Sequence, residues 1–490
     1  MRRNCAAHFL RWNTVQQMAF LMLAGATFAQ IAMPDAPPAK ATVSAVLISD
    51  IHFEPFWDPA KASQLAAAPT SEWKAILAAA PSPDQPRRFA ALQQSCHTRG
   101  ADTPFALFNA SLKAMRSRAY GAYFVAVGGD LLSHALQCKY NILFPNSTAA
   151  SYNAFAEKTL QYVIGELHVN LPGIPVYIAL GNNDSGCGDY RQDAHSEFLA
   201  VTGQEVTKYL SASERRTALE SFSAGGYYSV SLPAPIENAR LLVLNDIFMS
   251  SNYATCAGKP DSTAAAEQLT WLHRQLTEAR ANQKKIWVMG HIPPGVDLYA
   301  TATSFIDICS GRKPVMFLSS ESLADELVEF SDVVELAIFA HTHMDETRLL
   351  KDDGQSSKSV AVKMIPSISP INGNHPSFTV VLVDPATAAL HDYKVFVASN
   401  PSGVDAAWTE EYDFARSDHA TDYSPNSITQ LIAGFAADPG AKTQASQNYI
   451  ADFSVGYVTP VLHIFWPEYV CTLSNHTQNA FKACLCSAAQ

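Results

Sequence analysis

Five short apolar runs, each leading into residues able to bind a metal, constrain this chain more than any other feature. Residues 43–48, 122–127, 176–180, 286–289 and 336–340 are nearly continuous hydrophobic stretches. Runs of that length without polar alternation predict strands covered on both faces. The first leads into Asp50-Ile51-His52, the second into Gly128-Gly129-Asp130 and the third into Gly181-Asn182-Asn183-Asp184. The fourth leads into Gly290-His291 and the fifth into His341-Thr342-His343. Taken singly, an Asp-x-His or Gly-Asp is ordinary turn chemistry, and a His-x-His is ordinarily a solvated or core pair. Ligands of open α/β sheets bind beyond the carboxyl ends of the strands. Five such ends in one chain therefore aim their side chains at a common place.

The segments between these runs predict a layered α/β protein. Residues 105–119, 151–169 and 264–282 have helical patterns, and Leu269, Leu272 and Leu276 recur on one face of the last. A β-rich stretch follows at 359–365, 378–383 and 391–397. The Ala- and Pro-rich residues 53–103 read as a long insertion after the first strand. Beyond residue 405 the chain turns polar, aromatic and helix-like, and ends in a cluster of Cys471, Cys484 and Cys486.

At the N-terminus, Arg2, Arg3 and Arg11 precede an apolar run at 18–29 that closes on Thr27-Phe28-Ala29. This pattern predicts a signal peptide over 1–29, a linker over 30–41, a catalytic domain over 42–405 and a C-terminal region over 406–490. The apolar run is too short to span a bilayer, and no other stretch looks like a membrane helix. Setting Cys5 aside with the signal leaves eight cysteines, an even number that predicts disulfides in an exported chain without fixing their pairing.

A formal charge of −11 over 490 residues argues against a nucleic-acid binder that works by neutralising phosphates. An acidic protein can still hold a phosphate when bound cations supply the positive charge. Imidazole and carboxylate without thiolate suit zinc, iron, manganese or cobalt. A carboxylate such as Asp130 can bridge two ions. A pair of ions about 3.5–4 Å apart can activate a water and clamp an in-line displacement at phosphorus. The sequence has no Gly-x-Ser-x-Gly elbow and no Walker loop, which disfavours serine-hydrolase and P-loop chemistry.

The order Asp-x-His, Gly-Asp, Gly-Asn-x-Asp, Gly-His, His-x-His resembles the calcineurin-like metallophosphoesterase superfamily. Further features resemble its acid sphingomyelinase-like phosphodiesterase branch: His134 after Asp130, Gly290-His291-Ile292-Pro293-Pro294, and Pro366-Ser367-Ile368-Ser369-Pro370 leading to Pro376-Ser377-Phe378. The resemblance implies a four-layer α/β/β/α sandwich with a small, mainly helical C-terminal region. It implies two divalent ions, with zinc expected foremost. Asp50, His52, Asp130 and His343 would hold one ion, and Asp130, Asn182, His291 and His341 the other. It also places His375, in the loop before Phe378, at the border of the substrate cleft.

Two departures shape the functional expectation. Asn183 stands where the family usually has a histidine that assists the leaving group or binds phosphate. An amide can hydrogen-bond a phosphate oxygen but has no proton to give as an acid, so His134 becomes the candidate proton donor. The Gly-Asn-Asn-Asp string is similar to that of endopolyphosphatases, whose leaving groups need less protonation. Only a short linker stands where acid sphingomyelinase carries its lipid-presenting domain, so lipid contact is expected to be transient at most. The leading expectation is a secreted or periplasmic, monomeric phosphodiesterase acting on phospholipid head groups or nucleotide-like diesters. A phosphoanhydride hydrolase and a catalytically silent metal-binding module stand as alternatives.

Overall fold

A computed structural model describes residues 42–118, 120–304, 307–352, 358–418, 420–456 and 460–487. The expected signal peptide and the whole of the expected linker lie outside the described residues. The strands are β1 (Val43–Ile48), β2 (Val125–Val127), β3 (Val176–Ile178), β4 (Tyr228–Ser231), β5 (Ala239–Val243) and β6 (Lys285–Met289). They continue with β7 (Val334–Phe339), β8 (Thr347–Lys351), β9 (Ser359–Met364), β10 (Ser377–Val383), β11 (Leu390–Ala398) and β12 (Trp408–Asp413).

These strands form two six-stranded sheets. The first has the order β12-β11-β10-β1-β2-β3, with β1, β2 and β3 parallel and β10 to β12 antiparallel. The second has the order β4-β5-β6-β7-β9-β8, parallel from β5 through β9 and closed by antiparallel strands at both edges. The parallel strands are almost wholly buried, as their unbroken apolar runs require.

The sheets meet through large side chains. Trp287 on β6 sets its ring edge-on to Phe124, which precedes β2, at 5.7 Å between centroids. Tyr228 on β4 reaches across to β3, where its hydroxyl accepts from the Ile178 N–H at 2.7 Å and donates to the Ile178 carbonyl at 3.1 Å. Helices cover the outer faces. Thr263–Ala281 packs on β6 and Ser322–Glu329 on β8 and β9. On the other side Phe108 and Tyr162, from the helices Phe105–Arg118 and Ala149–Asn170, pack against Phe53. This is the expected α/β/β/α layering, with a helical C-terminal region.

That region is docked on the edge of the second sheet. Helices Pro425–Ala436 and Trp466–Ser474 pack against β8. Tyr423 donates to the Val362 carbonyl at 2.7 Å, and the Tyr449 hydroxyl accepts from the Thr347 N–H at 3.2 Å. All eight cysteines beyond Cys5 are paired, as Cys96–Cys138, Cys187–Cys256, Cys309–Cys486 and Cys471–Cys484. One bond lies within the C-terminal region, and another ties it to the body of the protein. Among the described residues, no helix is long and apolar enough to cross a membrane.

The Tyr228 hydroxyl is fully buried and serves both polar groups of one β3 residue. Tyr228→Phe should therefore cost about 1–3 kcal/mol by stranding them. Urea unfolding would measure the loss, and an unchanged midpoint would refute this role.

Candidate metal centre

The expected ligands leave the carboxyl ends of strands from both sheets. Asp50 and His52 follow β1, Asp130 follows β2 and Asn182 follows β3, all in the first sheet. His291 follows β6, and His341 and His343 follow β7, in the second. Strand pairing continues into the ligand segments. The Asp50 N–H donates to the Gly129 carbonyl at 3.0 Å and the His52 N–H to the Asp130 carbonyl at 2.8 Å. Within the second sheet, the Ala340 N–H donates to the His291 carbonyl at 2.9 Å.

The backbone here is unusual. Asp50, His52, Asp130, His341 and His343 all adopt positive φ, from 42° to 73°. The left-handed region costs an L-residue with a β-carbon about 1 kcal/mol or more. Strain of this kind persists only where the surroundings over-determine it, and it gathers at functional sites. Glycines complete the turns at two close approaches. A β-carbon at Gly181 would collide with the Asp130 carboxylate, and one at Gly290 with that of Asp246.

The donor atoms have the spacing of a metal site. Nε2 of His52 and Nε2 of His343 stand 3.2 Å apart. Oδ2 of Asp130 lies 3.4 Å from Nε2 of His52 and 3.3 Å from Nε2 of His291. Asp50 Oδ1 is 3.4 Å from Nε2 of His343, and Asn182 Oδ1 is 3.1 Å from Nε2 of His291. Tetrahedral zinc bonds of about 2.0–2.1 Å separate neighbouring donors by about 3.3 Å. Asp50 Oδ1 is buried with no hydrogen-bond partner, an orphan that a cation would satisfy. His341 brings a ring nitrogen within 4.8 Å of donor atoms on Asp130 and His291. The residues present fit two divalent ions, with Asp130 between the two donor groups.

The outer contacts set the tautomers. His52 Nδ1 lies 2.9 Å from the Leu132 carbonyl, and His291 Nδ1 lies 2.7 Å from the Gly128 carbonyl. Each Nδ1 must be the donor, which leaves Nε2 facing the site. Asn182 gives Nδ2 to Asp189 at 2.7 Å, which turns its Oδ1 inward.

Electrostatics agree. Burial disfavours charge on His52 and His291, yet the surrounding carboxylates, Asp130 foremost, together outweigh it and carry them up to about 9 and about 10. Burial pulls Asp50 upward, but His343, His52 and His291 bring it down to about 2. A field that holds protons on two buried imidazoles also attracts metal cations. Burial lowers His341 to about 4 and His343 to about 3, so both are neutral, as ligands must be.

The other expected site residues take distinct places. Asn183 grips Asp130, its backbone N–H donating to Oδ1 at 2.8 Å and its Nδ2 to Oδ2 at 2.9 Å. The His134 ring stacks on that of His52 at 3.8 Å, and its side chain is 32% exposed where those of the candidate ligands His52 and His343 are 0% and 3%. His375 is half-buried in the loop before β10.

Four residues escaped sequence reasoning. Asp102 binds Nδ1 of His134 at 2.9 Å. Asp184 accepts from the N–H groups of Leu131, Leu132 and Gly181, and Asp246 from those of His291 and Ile292. The Tyr190 hydroxyl lies 3.1 Å from Nε2 of His341. Asp184 was visible as the last letter of its motif, whereas the other three carry no local signal.

One carboxylate shared between two groups of imidazole and oxygen donors is the arrangement of a dinuclear divalent-metal hydrolase. The chain belongs to the calcineurin-like phosphoesterase family, which matches residues 44–345, and it is a hydrolytic phosphoesterase. Over 460 residues it is 25% identical to the acid sphingomyelinase-like phosphodiesterase 3b of Mus musculus, covering 89% of each chain. It is 26% identical to the cyclic GMP-AMP phosphodiesterase SMPDL3A of the same species, covering 64% of this chain and 68% of that one. Sphingomyelinase phosphodiesterase C of Dictyostelium discoideum is 28% identical over 37% of this chain and 36% of its own. These relatives lie in the acid sphingomyelinase-like branch.

Loading the metal-free protein with zinc at neutral pH must displace the protons on His52 and His291. Proton release should accompany zinc binding in weak buffer. Apparent affinity should fall as pH falls below about 9, by about tenfold per pH unit for each proton displaced. A pH-independent affinity between pH 6 and pH 8 would contradict this electrostatic picture. Asp130→Ala should reduce bound metal more than loss of any other single ligand, as read by elemental analysis.

Proposed function

We propose that the chain is an exported phosphodiesterase that uses two divalent ions, zinc foremost, and that His134 protonates the leaving oxygen. The observation that carries this reading is the partly exposed imidazole of His134 stacked on His52, beside a largely buried seven-residue donor set. Two divalent cations, when bound there, supply Lewis acidity that activates water and neutralises phosphoryl oxygens. The chain's own residues do the rest. Asn183 holds Asp130, which would serve both ions, through both carboxylate oxygens. Asn182 and His291 keep their donor atoms inward through the contacts described above. His134 keeps its Nδ1 proton on Asp102 and, as the imidazolium, gives its second proton from Nε2 to the leaving oxygen. General acid catalysis of this kind contributes roughly 10²–10⁴-fold.

The relatives' names support diesters, either lipid head groups or nucleotide-like molecules, as the substrate class. Export is supported by four disulfides, which persist in oxidising compartments. A panel of chromogenic diester and monoester, sphingomyelin, a cyclic dinucleotide, ATP and polyphosphate tests the assignment. Diesters should be the fastest, and a tenfold preference for ATP or polyphosphate would replace this reading with a phosphoanhydride hydrolase. His134→Gln should lower kcat by about 10²-fold on alkyl diesters while barely slowing nitrophenyl diesters. Equal losses on both, with reduced metal content, would mean that His134 only supports the metal centre.

A further inference from the structure

We propose that Asp102 is the positioning residue that presents His134 to the leaving oxygen, and that the Cys96–Cys138 disulfide braces the pair. The inference rests on the proton-donor role of His134 and goes beyond it by assigning what orients that ring. Asp102 lies outside the five strand-end motifs, in the segment whose composition reads as an insertion, yet it is 1% exposed. Its Oδ1 binds Nδ1 of His134 at 2.9 Å and accepts from the Ser369 hydroxyl at 3.0 Å. Its Oδ2 accepts the backbone N–H of His134 at 2.8 Å. One carboxylate thus holds the ring and the main chain of the same residue, fixing both rotamer and tautomer. A carboxylate acceptor requires a proton on Nδ1, so Nε2 is the ring nitrogen that Asp102 leaves unoccupied.

Asp102 is itself anchored to the segment after β1 that carries His52. The neighbouring Thr103 N–H donates to the His52 carbonyl at 3.1 Å, and the Glu54 N–H donates to the Thr103 carbonyl at 2.9 Å. The buried Lys139 ammonium pairs with Glu54 and lies 3.9 Å from Oδ2 of Asp102. The disulfide closes this frame from outside. Cys96 stands six residues before Asp102, and Cys138 stands four residues after His134 on the helix Leu136–Leu143, which also carries Lys139. The bond therefore links the two chain segments that must stay in register for the Asp102–His134 contact to hold.

The zinc-loaded full chain tests this with alkyl and nitrophenyl diesters. Asp102→Asn should reproduce most of the His134→Gln defect: kcat on the alkyl diester should fall at least about tenfold. Its KM, its nitrophenyl rate and its metal content should stay near those of the unmodified protein. Asp102→Glu should recover part of the rate. Cys96→Ala with Cys138→Ala should show a smaller loss of the same leaving-group-dependent kind. In ¹⁵N-histidine NMR, the neutral form of His134, left after its Nε2 proton is given up, should be a single Nδ1–H tautomer that becomes mixed in Asp102→Asn. Unchanged kinetics and tautomer in Asp102→Asn would overturn the inference, as would equal losses on both substrates with metal released. A His134→Gln loss that Asp102→Asn fails to match overturns this inference alone. A His134→Gln variant without leaving-group dependence overturns the proton-donor role and this inference with it.

Discussion

The position of one carboxylate, that of Asp130, governs the rest of the site. It lies within 3.4 Å of a ring nitrogen from His52, beside its own strand, and of one from His291, in the other sheet. Both oxygens are gripped by Asn183, and only glycine at position 181 leaves room for them. Burying a carboxylate costs several kcal/mol unless positive charge and hydrogen bonds compensate. Here the compensation must come from two sheets at once. A shift of either sheet would leave the charge unpaired, so the centre and the packing of the two sheets depend on each other.

The same device recurs around the ligands. Asp184, Asp246 and Asp102 are buried carboxylates that accept backbone N–H groups from loops carrying Asp130, His291 and His134. A carboxylate accepts several hydrogen bonds at once, so each can fix a short turn and satisfy its donors. The Asp184 contacts flank Asp130, one of five candidate ligands held at positive φ. The strain is distributed over the site and opposed by the polar network beneath it. Alignment of donor atoms therefore follows from the folded loops, before any ion binds.

How much was legible can be judged element by element. The run at 43–48 coincides with β1, and the long helical patterns coincide with Phe105–Arg118, Ala149–Asn170 and Thr263–Ala281 to within a few residues. Strands with a polar edge were not visible. β12 reads Trp-Thr-Glu-Glu-Tyr-Asp with three exposed positions, and β8 buries an arginine, Arg348. Neither has the unbroken apolar run that marks the central strands. Residues 53–103 looked like an insertion because alanine and proline dominate them. Folded, they supply three short helices as well as Asp102. Asp102 could not have been singled out, since its importance lies in a contact 32 residues away.

What the sequence alone determined is local: which residues make the buried strands, and which metal-capable side chains stand at their carboxyl ends. Hydrophobic period and chain order are enough for that, because both are written within a few residues. What only the tertiary structure decided is everything set by contacts distant in the chain. It divided five strand ends between two sheets and paired eight cysteines. It moved Asn183 onto Asp130 and set Asp102 under His134. These follow from packing two sheets face to face, which brings together groups as distant in the chain as His52 and His343, 291 residues apart. No local pattern encodes such a meeting, because it depends on the shape of the whole core.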